Sequence, residues 1–487
     1  MSTSAEIQST AIVTETAEKP LYERFAPAGA WLLATFFLVT SVYISRHRLF
    51  WYDEVFTTLT ARLPNFRTIW DALVRDSYDP TPFGYFVVVR GFDRLFGPGE
   101  IGIRLPSALA VAAGMLLTYA CARRISDALH GLIAMAALTC TLLPFYGYEG
   151  RSYGIYFFLS ALALWAWITE RHPVFFLVLF FCGVTIHYYF LLCLVPFAAE
   201  ELNRWRPWDK PSARLIAGGL GALAGIAVLS RQVLASGHIG SSWWAPPSFA
   251  SFTTAFSDLA PHGLFLISIA LLWTVLIDRR RSPVVEPMSP AERTGWLSLL
   301  IPVAGFVLAL LVTHAFLSRY LIGTLPGVAV ATASLVSRRF RGAPQASIGV
   351  LLLLASYGIY TQLKTARHAD VIQSFGPQQE RTRALLGLED QLWMDGKRFI
   401  AMQPTDLLFL EARYYSHHPE RYVLLVEPSF VGAQHYPMLS WTPAETKQHA
   451  HETAFVNVPR TLLQDMEQSG FRSVVKSTDP LNVNYLE

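Results

Sequence analysis

The chain has 487 residues, of which 52% are apolar, 13% aromatic and only 15% charged. Soluble domains carry about 25% charged residues, so much of this surface faces something other than water. The net charge of +3 is too small and too scattered to mark a nucleic-acid partner.

Residues 1–26 are polar, rich in Ser, Thr and Glu, and read as a disordered cytoplasmic tail. They lack the short basic start of a signal peptide, so the apolar run that follows is expected to be a retained helix. A span needs roughly 20 apolar residues. By that rule spans fall near 27–45, 105–122, 128–146, 153–169, 213–233, 262–278, 296–314, 319–337 and 346–364. The run 173–200 is long for one span and short for two.

Basic residues resolve it, because short cytoplasmic loops favour Lys and Arg. If 173–200 is a hairpin of two short helices turning near His187, the basic positions of 123–124, 171, 204–214, 279–281, 293 and 338–341 share one side. The opposite short loops keep only Arg151, Arg231 and Arg319. The expectation is therefore a mainly α, polytopic membrane protein of about eleven spans, with the amino end cytoplasmic. Its membrane domain covers 27–365, with an extracytoplasmic loop at about 46–104.

Within that loop "NFRTIWDALVRD" (65–76) has helical apolar spacing behind an Asn cap and suits a helix lying in the membrane interface. Residues 366–487 lose the membrane-like composition. "KRFIAM", "RYVLLVE", "TAFVNV" and "FRSVVKS" read as strands, and "DLLFLEARYYS" and "PRTLLQDMEQSG" as helices, giving a small extracytoplasmic α/β domain. Cys121, Cys140, Cys182 and Cys193 all lie in apolar runs and form no disulfide or CxxC pattern.

Ionisable residues beside spans are costly, and each is a functional candidate. They collect at the outer ends: Asp53 and Glu54 in "WYDEVFT", Asp79 in "SYDPTPFGYF", Glu149 and Arg151 in "YGYEGRSYG", His187 in "TIHYYF" and Arg319 in "LSRYLIG". Each also has a structural alternative. Asp53 and Glu54 suit a helix amino end, Asp79 a turn, and Glu149 with Arg151 a surface ion pair. His187 suits a packed turn, Arg319 a snorkelling anchor, and Trp243 and Trp244 the interfacial aromatic belt.

Taken in order, "WYDEVFT", an Asp-Pro segment, "RLPSALA", "YEGRSYG", "IHYY" and "SRYLIGTLP" resemble the membrane glycosyltransferases of the GT-C superfold. The resemblance is to the bacterial family 39-like branch, which includes protein O-mannosyltransferases and the aminoarabinose transferase acting on lipid A. It covers roughly 27–335. It implies inverting transfer of a sugar from a polyprenyl-phosphate donor to a lipid, glycan or protein acceptor outside the cytoplasm. Asp53 and Asp79 become the catalytic candidates; Glu54, Glu149, Arg151, Tyr153, His187, Tyr188, Arg319 and Tyr320 become the substrate-binding ones. The family often has His-Pro-Pro after the second acid, where this chain has Thr81-Pro82-Phe83.

The chemistry asks for the same residue types. A carboxylate takes the acceptor proton, and cations meet the departing phosphate. Arg319 is the first candidate for that role, followed by Arg151 and His187. No cofactor or metal is required, although Asp53, Glu54 and Asp79 offer oxygen ligands to a divalent cation. The partners implied are the lipid-linked donor, the acceptor and membrane lipids. A transporter or flippase of lipid-linked glycans would use the same amphipathic substrate without a base.

Overall fold

The structure is a computed structural model, which describes residues 20–75, 80–204, 211–240, 245–261, 286–369, 376–402, 408–425, 439–477 and 481–486. The expected span at 262–278, Asp79, Trp243 and Trp244 lie outside these residues. The chain is a multi-pass membrane protein. Among the described residues, five helices are long and apolar enough to cross a bilayer: 21–47, 100–125, 290–313, 318–339 and 344–367.

The first half of the chain runs α1 (Leu21–His47), α2 (Tyr52–Ala61), α3 (Phe66–Arg75), α4 (Phe83–Phe96), α5 (Glu100–Ile125), α6 (Ala128–Thr139), α7 (Leu143–Tyr146), α8 (Tyr153–Ile168) and α9 (Pro173–Ile186). Helix α1 begins at Leu21, so the tail expected to reach residue 26 ends earlier. Pro27 lies inside α1 beyond its first turn, where it removes one i→i−4 hydrogen bond of the helix. Among the described residues three helices, α2, α3 and α4, lie in the 46–104 loop. Of these α3 is the expected amphipathic one, and its Asn65 side chain accepts the Thr68 N–H at 2.9 Å.

Two expected spans are broken. The 128–146 run stops at Thr139 and restarts at Leu143. Pro144 cannot donate to the ladder, and the Leu142 N–H bonds to the Leu259 carbonyl instead. The 213–233 run bends by 68° between Ala213–Val228 and Ser230–Ser236. The ambiguous run does turn at His187, whose extended backbone ends α9 and starts a 3-10 turn leading into Val195–Arg204. At that helix Glu200 meets Arg293 at 2.8 Å, and Glu292 meets Arg338. Buried carboxylates thus sit among the basic positions assigned to one side.

The carboxyl-terminal region is an α/β domain around six strands, β1 (Phe399–Met402), β2 (Tyr422–Leu425), β3 (Leu439–Trp441), β4 (Thr453–Val456), β5 (Ser473–Ser477) and β6 (Val483–Leu486). Their order is β3-β2-β1-β4-β6-β5. The first four are parallel, with Ile400 opposite both Tyr422 and Ala454. Strand β6 is antiparallel to β4 and β5. Strands β3 and β6, and the helices Gly376–Met394 and Pro443–Gln448, add to the elements expected from sequence.

One buried apolar cluster joins Phe50, Val55 and Phe56, at and before α2, and Tyr85 of α4, to Ile400, Phe409, Leu410 and Tyr422 of the sheet domain. The domain is therefore packed onto the loop helices, and this positions the site.

Candidate active site

Asp53 and Glu54 are adjacent on the first turn of α2, and the helix sends them in different directions. Glu54 is fully buried. Its Oε1 accepts Arg104 Nε at 2.7 Å and its Oε2 accepts Arg104 Nη2 at 2.5 Å. The Gly150 N–H reaches Oε1 at 2.5 Å, and the Trp51 N–H reaches Oε2 at 3.3 Å. Arg104 also donates to the carbonyls of Ser45, Arg48 and Leu49 at 2.7–2.9 Å. Burial opposes the charge of Glu54, but Arg104 wins and holds its pKa below the ordinary value.

This arrangement explains "RLPSALA". Arg104 ties the end of α1 to the start of α2, and Ser107 donates to the Arg151 carbonyl at 2.9 Å. Gly150 is required at the crossing: a Cβ there would stand 2.7 Å from Ile103 Cγ2 and 3.2 Å from Glu54 Oε1.

Asp53 instead keeps about a quarter of its side chain exposed and faces Arg151, Nε to Oδ2 at 3.9 Å. Arg151 is held in place by Thr57 Oγ1 at 3.1 Å and Thr81 Oγ1 at 3.0 Å. The sequence reading missed both threonines. Thr57 lies four residues after Asp53, on the same helix face. Thr81 stands in the segment where the chain departs from the family pattern. Gln232 completes that segment, donating to the Thr81 carbonyl at 2.8 Å and accepting the Phe83 N–H at 3.1 Å.

Glu149 is buried two residues before Arg151. Burial first, and the Glu54 charge second, push its carboxyl up to about 8, against the pull of Arg319, Arg48 and Arg151. At neutral pH it is mainly the neutral acid, and its Oε2 makes no hydrogen bond among the described residues. Among the described residues Arg151 forms an ion pair with Asp53, while Glu149 feels its charge.

His187 stacks on Tyr156 at 4.5 Å with the rings 7° apart, and Tyr153 lies 5.5 Å away. Burial, then Arg151 and Arg319, lower its pKa to about 3. His187 is therefore a neutral ring beside the two guanidiniums. Arg319 lies over the Tyr153 ring at 5.7 Å and the Tyr320 ring at 5.9 Å. Its Nε is buried without a hydrogen bond among the described residues. The ring packed on Tyr320 is that of Tyr189, at 4.9 Å; Tyr188 packs on the main apolar core. The cluster thus joins a carboxylate, a neutral acid, two guanidiniums, four tyrosine rings and the His187 imidazole at the ends of separate helices.

No family model and no curated protein matches the chain. Solved structures do. ArnT from Cupriavidus metallidurans in the apo state superposes with a TM-score of 0.62 over 95% of this chain and 98% of that one, at 14% identity. Its structure bound to undecaprenyl phosphate gives 0.59 over 95% and 97%, also at 14% identity. The chain has the GT-C membrane fold. An Archaeoglobus fulgidus oligosaccharyltransferase in the apo form shares the fold more distantly, with a TM-score of 0.50 at 11% identity over 83% of this chain and 65% of that one.

On this GT-C frame, Asp53, Arg151, Glu149, His187, Tyr153, Arg319 and Tyr320 converge, whereas Glu54 turns away into the protein. Among the described residues no group of three His, Cys, Asp or Glu side chains is placed to hold a metal. Glu54 does not fit the oxygen set suggested by sequence, because its oxygens are taken by Arg104 and two backbone N–H groups.

Proposed function

We propose that the chain is a membrane glycosyltransferase that moves a sugar from a polyprenyl-phosphate donor to an extracytoplasmic lipid, glycan or protein acceptor, with inversion. The observation that carries this reading is the partition of the two adjacent acids: one fixed in the protein by Arg104, the other facing the Arg151 guanidinium. The superposition on ArnT bound to undecaprenyl phosphate supports the class of lipid carrier.

In this reading Asp53 accepts the proton of the acceptor hydroxyl or amine as that atom attacks the anomeric carbon. The new bond forms on the face opposite the phosphate, the carbon–oxygen bond to phosphate breaks, and its electron pair leaves with the polyprenyl phosphate. Arg319 meets the charge that develops there. Arg151, fixed by Thr57 and Thr81, holds Asp53 in orientation and adds positive field. Neutral Glu149 can donate its O–H to a sugar hydroxyl or a phosphate oxygen, and the Tyr153, Tyr320 and His187 rings wall the pocket. A monophosphate leaving group met by guanidiniums needs no metal. In this reading the active face and the sheet domain lie outside the cytoplasm.

Membranes containing the protein, supplied with a panel of labelled polyprenyl-phosphate sugars and native acceptors, are expected to release free polyprenyl phosphate. Transbilayer movement of intact donor without release would replace this reading with a flippase.

A further inference from the structure

Gln232 sits on the short helix Ser230–Gly240, in the second half of the span that bends by 68°. Its side chain is fully buried, yet both ends of its amide are used, and on one target. Nε2 donates to the Thr81 carbonyl at 2.8 Å, and Oε1 accepts the Phe83 N–H at 3.1 Å.

The target explains the amide. Thr81 stands between Pro80 and Pro82. Neither proline has an N–H, and Pro82 biases Thr81 toward extended backbone. Phe83 opens α4, whose first N–H groups have no partner within the helix, and Pro82 gives that end no side-chain cap. Gln232 serves both gaps from another helix. Packing alone would be met by an apolar side chain of the same length, without the cost of burying an amide.

From Thr81 the reacting carboxylate is two contacts away. The Thr81 side chain is β-branched, so a fixed backbone restricts where its hydroxyl can stand. Thr81 Oγ1 accepts Arg151 Nη2 at 3.0 Å, and Arg151 Nε lies 3.9 Å from Asp53 Oδ2. The other hydroxyl that accepts from Arg151, on Thr57, rides on α2 together with Asp53. Thr81 is an anchor from outside that helix.

We propose that Gln232 is a positioning residue: through Thr81 it sets where the Arg151 guanidinium stands against Asp53, so that the break in the membrane span becomes part of the active site. Only the kinetic arm of the test below rests on the proposed transferase reaction.

The test is labelling of individual arginines by phenylglyoxal, read by mass spectrometry on the full-length protein in nanodiscs, alongside donor turnover. In Gln232→Met, labelling of Arg151 should quicken about fivefold or more while that of buried Arg104 stays at the wild-type level. In the same variant kcat should fall about tenfold with KM for donor nearly unchanged. Thr81→Val removes the hydroxyl on the same route, so the double variant should turn over no slower than Thr81→Val alone. If Gln232→Met does not accumulate, Gln232→Asn, whose amide is too short to hold both groups, should show the same pattern at smaller amplitude. Unchanged labelling of Arg151 in the variant that accumulates overturns the proposal, as does an equal rise at Arg104. So do losses that multiply in the double variant. Absence of turnover in wild type would sink the proposed function, while the labelling would still decide the role of Gln232.

Discussion

Arg104 on α5 holds both oxygens of Glu54, at 2.7 and 2.5 Å, and neither side chain has measurable exposure. Removing one partner of such a pair leaves an uncompensated buried charge, at a cost of about 3–5 kcal/mol. Glu54→Ala and Arg104→Ala should each lower the thermal midpoint sharply and reduce yield. The double variant Glu54→Leu/Arg104→Met should be more stable than either single one, which thermal scans in detergent would check.

Arg319 is expected to act on the phosphate. Arg319→Gln should lower kcat by about 10²–10³, the scale for losing one donor to developing charge, with little change in the thermal midpoint. Arg319→Lys should recover part of the loss, since it restores charge without the planar fork. Equal kcat in wild type and Arg319→Gln would remove this arginine from the mechanism.

Glu149 makes stability depend on pH. In the folded chain its carboxyl holds a proton up to about 8, whereas the unfolded value is 4.5. Its contribution is therefore full below about 4.5 and is lost as pH rises through about 8. Between pH 6 and pH 9 the wild type should lose more thermal stability than Glu149→Gln. Parallel curves for the two proteins would show that Glu149 ionises normally.

His187, lowered to about 3, should contribute no limb to the pH–rate profile above pH 5. His187→Gln should lower turnover through lost ring packing while leaving the shape of that profile unchanged. A limb near 6.5 that disappears in the variant would show that the ring does titrate.

The membrane helices were legible because apolar runs and basic loops obey bilayer rules, and the hairpin at His187 followed from charge alone. Breaks such as Thr139–Leu143 were not, because a tertiary bond from Leu142 to Leu259 supports them. Strands β3 and β6 have three and four residues, too few for alternation to register. The helix Gly376–Met394 does carry an apolar stripe at Leu385, Leu388 and Leu392, which the sequence reading passed over. At the site, motif order brought out most of the converging residues. The family resemblance set Asp53 apart from Glu54 as the catalytic candidate, but the residues themselves carry no sign of the pairing with Arg104, because only the fold decides which neighbour on α2 meets it. Thr57 and Thr81 escaped because hydroxyls beside a site carry no charge signal.

The division of labour between those two acids is tested most directly by release of free polyprenyl phosphate from wild type and Asp53→Asn at matched abundance. Turnover by wild type, a loss of at least about a hundredfold in the variant and an unchanged thermal midpoint are the expected results. Equal turnover in the two proteins would contradict the assignment of Asp53 as the base.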